Sequence, residues 1–167
     1  MISKSSLSVQ SQIFGLIAYM ALSFFIATLG AIASIQAREF YAALDTPSWA
    51  PPGWVFGPVW TSLFIMMALS AWLVWRVGGY QKATLALRLF LVQMLFNALW
   101  SWLFFAWNLG LLAVVEVLVL WALILATLVS FWRINKLAAL LLLPYWLWVS
   151  FASVLTYNCW VLNPQLL

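Results

Sequence analysis

The chain has 167 residues, 68% of them hydrophobic and only 6% charged, with a net charge of +4, 13 Trp and no His. A soluble domain carries about 25% charged residues, so this composition excludes one, and the length allows a single domain. Without His the usual general base, zinc ligand and haem ligand are all missing, and the one cysteine, Cys159, forms neither an internal disulfide nor a thiolate cluster.

A membrane-crossing helix needs roughly 20 consecutive apolar residues. The first such run covers residues 13–36. Ala31-Ile32-Ala33 resembles a small-residue cleavage site, but signal-peptide apolar regions are about 7–15 residues long. This run is longer, so it reads as a retained span. The link of residues 37–53 holds Arg38, Glu39, Asp45, Pro47, Pro51 and Pro52, and is expected to be ordered but not helical throughout. A second span covers 54–75, and Arg76, Gly78, Gly79, Gln81 and Lys82 break it from a third at 89–107. Asn108 and Gly110 separate a fourth span at 111–132, and Arg133, Asn135 and Lys136 a fifth at 137–162. The expectation is an all-α, polytopic membrane protein, a five-transmembrane-helix bundle whose short links make sequential helices antiparallel neighbours. No internal repeat is visible, and an odd number of spans argues against the inverted duplication of secondary transporters.

With five crossings, Lys4, Arg76, Lys82, Arg88, Arg133 and Lys136 share one side, and Arg38, offset by Glu39 and Asp45, has the other. The positive-inside rule then puts the N-terminus in the cytoplasm and the 37–53 link outside. Basic residues spread this thinly do not suit a nucleic-acid surface, so the first partner is the lipid bilayer.

Polar residues in a span turn toward protein. In the third, Gln93, Asn97, Trp100, Ser101 and Phe104 fall on one helical stripe; in the fifth, Tyr145, Trp148, Ala152, Leu155, Thr156 and Cys159 do the same. The two stripes line one cavity or pack as ordinary helix-to-helix glue. Glu116, about two turns into the fourth span, reads as a proton site or a hydrogen-bonded lock between helices, and the absence of His and of a second acid in any span favours the lock. Trp75, Trp107, Trp132 and Trp160 lie near span ends, as in an interfacial belt. Trp49, Trp54, Trp60, Trp100 and Trp148 are the candidates for ligand contact.

The run Pro47-Ser48-Trp49-Ala50-Pro51-Pro52-Gly53-Trp54, followed by Pro58-Val59-Trp60, resembles the signature of the TspO/MBR family, the bacterial tryptophan-rich sensory proteins and the mitochondrial translocator protein or peripheral benzodiazepine receptor. The resemblance continues through Leu73-Val74-Trp75, Gln93, Asn97, Trp100, Phe104-Phe105, Pro144-Tyr145, Trp148, Phe151-Ala152, Tyr157, Trp160 and Asn163, from the first helix onward. It implies a five-helix bundle, often a homodimer, with a pocket under the link between the first two helices that binds porphyrins, sterols in some lineages, and synthetic drugs. On this chain the pocket would be lined by Trp49, Trp54, Trp60, Asn97, Trp100, Tyr145, Trp148, Ala152 and Leu155.

Two departures matter. Thr156 stands where many members have Asn, and Asn158-Cys159-Trp160-Val161 supplies no basic residue for the sterol pattern of animal members, so a sterol is demoted. No metal site and no obligatory cofactor are expected. With no imidazole, metal-free protoporphyrin IX is the expected ligand ahead of haem, and Arg38 is the one outward cation for a propionate. The implied role is transport, sensing or regulation of tetrapyrrole or stress metabolism. The alternative is light- and oxygen-dependent porphyrin degradation, in which Trp60 and Trp148, matching the family positions implicated, would be the reacting, catalytic residues. Ala98 and Ala106 offer a small-residue face for a second copy. A bacterial inner membrane is the expected residence, with the outer membrane the alternative.

Overall fold

The computed structural model describes residues 7–167. Lys4, one of the cations used to orient the chain, lies outside the described residues. Helix α1 (Val9–Ala33) starts where the Ser8 hydroxyl accepts the Ser11 amide at 3.2 Å, which satisfies one of the otherwise unpaired N–H groups of a first turn. A short helix α2 (Ala37–Ala43) follows, then extended chain, then a 3₁₀ turn at Gly53–Val55 that runs into α3 (Phe56–Trp75). One turn, α4 (Gly79–Lys82), precedes α5 (Thr84–Ser101). A π-helical turn, Trp102–Ala106, extends α5, and its wider ring closes through the Trp107 amide on the Trp102 carbonyl at 2.9 Å. Helix α6 (Gly110–Trp132) and helix α7 (Lys136–Leu162) complete the chain, the latter capped by the Asn135 side chain on the Ala138 amide at 3.2 Å.

Five stretches, Val9–Ala33, Gly53–Trp75, Thr84–Ala106, Gly110–Trp132 and Lys136–Leu162, are long and apolar enough to cross a bilayer. They close into a ring in which α1 packs on α3, α3 on α7, α7 on α6, α6 on α5, and α5 back on α1. This corrects the expectation that all sequential spans are neighbours. The second and third barely touch, because the link through α4 carries the chain past the first helix rather than turning it straight back. The third span also begins five residues earlier than the charge pattern indicated. Arg88 sits exposed on its first turns, its guanidinium Nε donating to the Tyr80 hydroxyl at 3.3 Å, and so does not interrupt the helix. The link of residues 37–53 is partly helical, as expected, through α2.

The ring buries one continuous core. Met67, Ala71 and Val74 of α3 meet Phe90 and Met94 of α5, Leu120 and Ile124 of α6, and Leu142, Tyr145 and Val149 of α7. A smaller cluster closes the end that carries the long link, here called the loop end: Leu44, Leu103, Phe104, Ala113, Leu155 and Cys159. Ala98 belongs to the central core, which removes it from any face open to a second copy and leaves only Ala106 exposed. Polar contacts between helices are few and aimed at carbonyls or hydroxyls. Ser70 donates to the Ala138 carbonyl at 2.7 Å, the Trp72 indole to the Gln12 carbonyl at 2.8 Å, and the Trp121 indole to the Ser150 hydroxyl at 2.8 Å.

Of the four tryptophans expected in the interfacial belt, Trp107 and Trp132 are exposed near span ends, whereas Trp75 and Trp160 turn inward onto glycines. A Cβ on Gly15 would overlap the Trp75 indole, and one on Gly110 would overlap Trp160. Each pair fixes the register of two helices, α1 on α3 at one end and α6 on α7 at the other. Gly15→Ala should therefore cost about 1–3 kcal/mol by overpacking. Its melting temperature in detergent should fall below wild type, while Gly57→Ala, where a Cβ meets nothing, keeps or raises it.

Candidate functional site beneath the loop

The proline-rich segment owes its shape to a few hydrogen bonds. The Ala50 amide closes a turn on the Pro47 carbonyl at 2.9 Å, and the Val55 amide one on the Pro52 carbonyl at 3.0 Å. Tyr41, reaching across from α2, donates its hydroxyl to the Pro51 carbonyl at 3.1 Å. Burial, with the nearby Cys159 thiol as a lesser cause, pushes the Tyr41 phenol above its ordinary value of 10.0, so it remains a donor at neutral and mildly alkaline pH. Beyond the end of α7, the Asn163 side chain takes the backbone of Asp45 from both sides. Its Oδ1 accepts the Asp45 amide at 2.8 Å, and its Nδ2 donates to the Asp45 carbonyl at 2.9 Å. One buried amide side chain thus latches the loop to the last helix.

Below the latch, rings run in sequence. Tyr41 meets Phe56 at 5.4 Å, Phe56 meets Trp148 at 5.9 Å, Trp148 meets Phe151 at 5.4 Å, and Phe151 meets Trp49 at 5.7 Å between centroids. From α5 and its π turn, Trp100 stacks on Phe104 at 5.2 Å and meets Phe105 edge-on at 5.6 Å, while Phe40 of α2 touches both phenylalanines. The extra residue of the π turn lets Phe104 and Phe105 both join this cluster of rings. Trp60 lies deeper on α3, 6.2 Å from the Tyr145 ring.

The polar stripes of α5 and α7 meet through one hydroxyl. Tyr145, 0% exposed, donates to the Gln93 Oε1 at 2.9 Å and accepts from the Asn97 Nδ2 at 3.0 Å. Several buried groups close to this knot have no partner: Gln93 Nε2, the indole nitrogens of Trp100 and Trp148, and both oxygens of Glu116. Glu116 is therefore not the hydrogen-bonded lock the sequence suggested, because neither α5 nor α7 offers its carboxyl a donor or an acceptor.

The structure gathers Trp100, Trp148, Ala152, Leu155, Asn97, Tyr145 and Trp60 around the loop end of α3, α5 and α7, with Leu155, Asn97 and Tyr145 fully inside and Ala152 half-buried. Trp49 closes over Phe151 but is 47% exposed, and Trp54 is 76% exposed on the 3₁₀ turn. Arg38 is exposed on α2, at the same end. Phe56, Phe151 and Tyr41 join this cluster, and Asn163 is a latch, without a signal in the sequence that sets them apart. Between α3 and α7 an open groove of about 620 Å³, lined by Pro58, Val59, Met66, Pro144, Trp148 and Phe151 among others, brings the edge of the ring cluster to the lipid-facing surface. Pro144 has no N–H to give the helix, which loosens α7 beside that groove.

Sequence comparisons agree with this architecture. The model of the TspO/MBR family matches residues 16–161. The chain is similar to the tryptophan-rich protein TspO of Chlorobaculum tepidum, 42% identical over 77% of this chain and 82% of that protein. It is also similar to the human translocator protein, 39% identical over 75% of each, and to the tryptophan-rich sensory protein of Cereibacter sphaeroides, 35% identical over 82% of this chain and 84% of the relative.

Asn163→Ala removes both bonds to Asp45 and should release the loop. At about 1–3 kcal/mol for the groups left unpaired, amide exchange across residues 44–52 should quicken about tenfold or more, with the core of α3 and α7 unaffected. Tyr41→Phe should give a smaller increase. In the wild type, the Tyr41 contribution persists below pH 10 and fades above it, because the unfolded phenol ionises first.

Proposed function

The chain belongs to the TspO/MBR family of membrane proteins, and from that premise we propose that it captures a flat lipophilic tetrapyrrole, metal-free protoporphyrin IX ahead of haem, in the aromatic chamber beneath the loop. Occupancy of the chamber shifts the latched loop and so serves transport, sensing or regulation of tetrapyrrole metabolism. The observation that carries this reading is the pair of buried indole N–H groups on Trp100 and Trp148 that have no acceptor. An indole N–H only donates, and leaving it buried and unpaired costs about 1–3 kcal/mol. A ligand bearing carboxylate or carbonyl oxygens would supply the acceptors, and its flat face would pack against Trp100, Phe104 and Trp148. Arg38, exposed at the same end, suits a propionate that reaches the surface.

The ligand comes from lipid, through the groove between α3 and α7. Area burial then contributes little, since no water leaves the apolar surfaces, and discrimination rests on ring packing and the unpaired donors. A sterol brings no flat π face and a single hydroxyl oxygen as acceptor, one for two unpaired indole donors, and ranks below. The reading places the loop on the outer face of a bacterial inner membrane, with a homodimer as the assembly.

A second reading, light-driven degradation of the bound porphyrin with oxygen as oxidant, is favoured by the contact of the Trp60 ring with Tyr145. It gives a photo-oxidised indole an adjacent phenol. Trp60 and Trp148 would be the reacting side chains.

Titration of the purified protein with protoporphyrin IX and with haem, followed through the ligand's absorbance, tests the first reading. Protoporphyrin should bind more tightly than haem. Trp100→Phe and Trp148→Phe, which keep a ring and lose the N–H, should each weaken protoporphyrin about tenfold, or about 1.4 kcal/mol. Trp132→Phe in the exposed belt should change nothing, and equal affinities across the set would reject the chamber. Under illumination, Trp60→Phe should stop bleaching per bound ligand if degradation occurs, and unchanged bleaching removes Trp60 from that chemistry.

A further inference from the structure

The inward stripe of α6 is Ala113, Glu116, Val117, Leu120, Ile124, Thr127 and Phe131, all buried, and Glu116 is the one residue on it with a formal charge. It stands six residues past Gly110, about 9 Å into the bundle from the loop end at the usual helical rise. Ala113, one turn nearer the loop, packs with Leu103, Phe104 and Leu155; Val117, the next residue, packs in the core that holds Tyr145. Trp100 borders both clusters and Trp148 borders the second. Glu116 therefore lies at the seam between the two clusters.

The carboxyl group is 6% exposed and both of its oxygens lack a partner. The hydroxyl of Tyr145 cannot serve it, because its single proton goes to Gln93. Asn97 donates to Tyr145, and Gln93 Nε2 is itself unpartnered. No Lys or Arg is among the buried described residues, and the chain has no His. The titratable groups turned inward from the neighbouring helices are Tyr145 and Cys159 of α7; α5 presents only amides, its Arg88 being exposed far toward the other end. A carboxylate inside hydrocarbon is held by a counter-charge or by full hydrogen bonding and otherwise takes up a proton, and here the protein provides neither partner.

A carboxylate can persist at this position only with a counter-charge that a ligand brings. A hard metal cation needs some six oxygens, far more than this single carboxylate offers. An organic ammonium needs one carboxylate and π faces, which attract a desolvated cation; Trp100, packed on both clusters, and Tyr145 of the central core are the rings nearest this seam. We propose that Glu116 anchors a site for the cationic nitrogen of a lipophilic aromatic amine, whose rings enter the chamber while Gln93 Nε2 stays available to an acceptor on the same ligand. The site adjoins the proposed tetrapyrrole chamber but does not depend on that reading.

The test is calorimetric titration of the protein in phosphatidylcholine nanodiscs, blanked against empty discs, with 1-naphthylmethylamine and with its neutral N-acetyl derivative. The wild type should bind the amine at least tenfold more tightly than the amide. Glu116→Gln should weaken the amine about tenfold and leave the amide within twofold, erasing the preference while the helical circular dichroism is kept. Equal affinities in the wild type, as for a polar hole that merely holds water, overturn the proposal, and so does a preference that survives Glu116→Gln. If that variant does not fold, the wild-type ratio of amine to amide decides alone. Failure of protoporphyrin to bind leaves this comparison intact, so the two readings fail separately.

Discussion

Lipid offers no hydrogen bonds, and the hydroxyl of Tyr145 meets that constraint for two helices at once. By donating to Gln93 and accepting from Asn97 it joins α7 to α5 across the middle of a ring in which they are not adjacent, with α6 on one side and α3 and α1 on the other. Apolar packing between helices in a bilayer lacks the drive it has in water, so a polar tie of this kind fixes rotation about the helix axes more firmly than any one Leu or Val contact. With the rotation of α5 set, Trp100 and Phe104 face the loop end. With that of α7 set, Trp148, Leu155 and Cys159 do.

The two ends of the bundle are then built differently. One is basic, closed by Arg76 over the Trp72 ring at 4.7 Å and by Trp75 seated on Gly15. The loop end is aromatic and is covered by a segment that a single amide, Asn163, holds to α7. A cover made of prolines and short turns has little conformational freedom of its own, so freeing it needs few bonds to break. Of the unpaired buried polar atoms, the Trp100 and Trp148 indole nitrogens lie beneath that cover, Gln93 Nε2 and the Glu116 carboxyl lie deeper in the bundle, and Ser23 and Trp146 lie on α1 and α7 away from it. A polar group left unpaired in an otherwise well-satisfied interior calls for a partner from outside the chain, a water or a ligand.

The five spans were legible because charge breaks and apolar runs are written plainly in so hydrophobic a chain. The start of the third was misjudged at Arg88, a residue that a helix tolerates once its side chain reaches past the apolar zone. Ring order was not legible, since no local pattern says that α7 lies between α3 and α6. At the site, Asn97, Trp100 and Tyr145 stood out because polar atoms in lipid need a reason. Phe56 and Phe151 did not, for one more phenylalanine among 12 carries no contrast. Trp75 and Trp160 resembled belt residues by position, and only the facing glycines reveal that their rings pack inward.

Helices enter a membrane in chain order, and that order fits this ring awkwardly. After four spans the arc from α3 through α1 and α5 to α6 is still open, and Gln93 and Asn97 have no phenol to bridge them. The last helix fills the gap between α3 and α6 and brings Tyr145, Leu155, Cys159 and the adjoining Asn163 together. Closure of the ring, completion of the polar knot and fastening of the loop are thus one event, the arrival of α7 and Asn163. A nascent chain halted before α7 displays its polar side chains to lipid, which gives quality-control proteases a physical basis for telling an unfinished copy from a finished one.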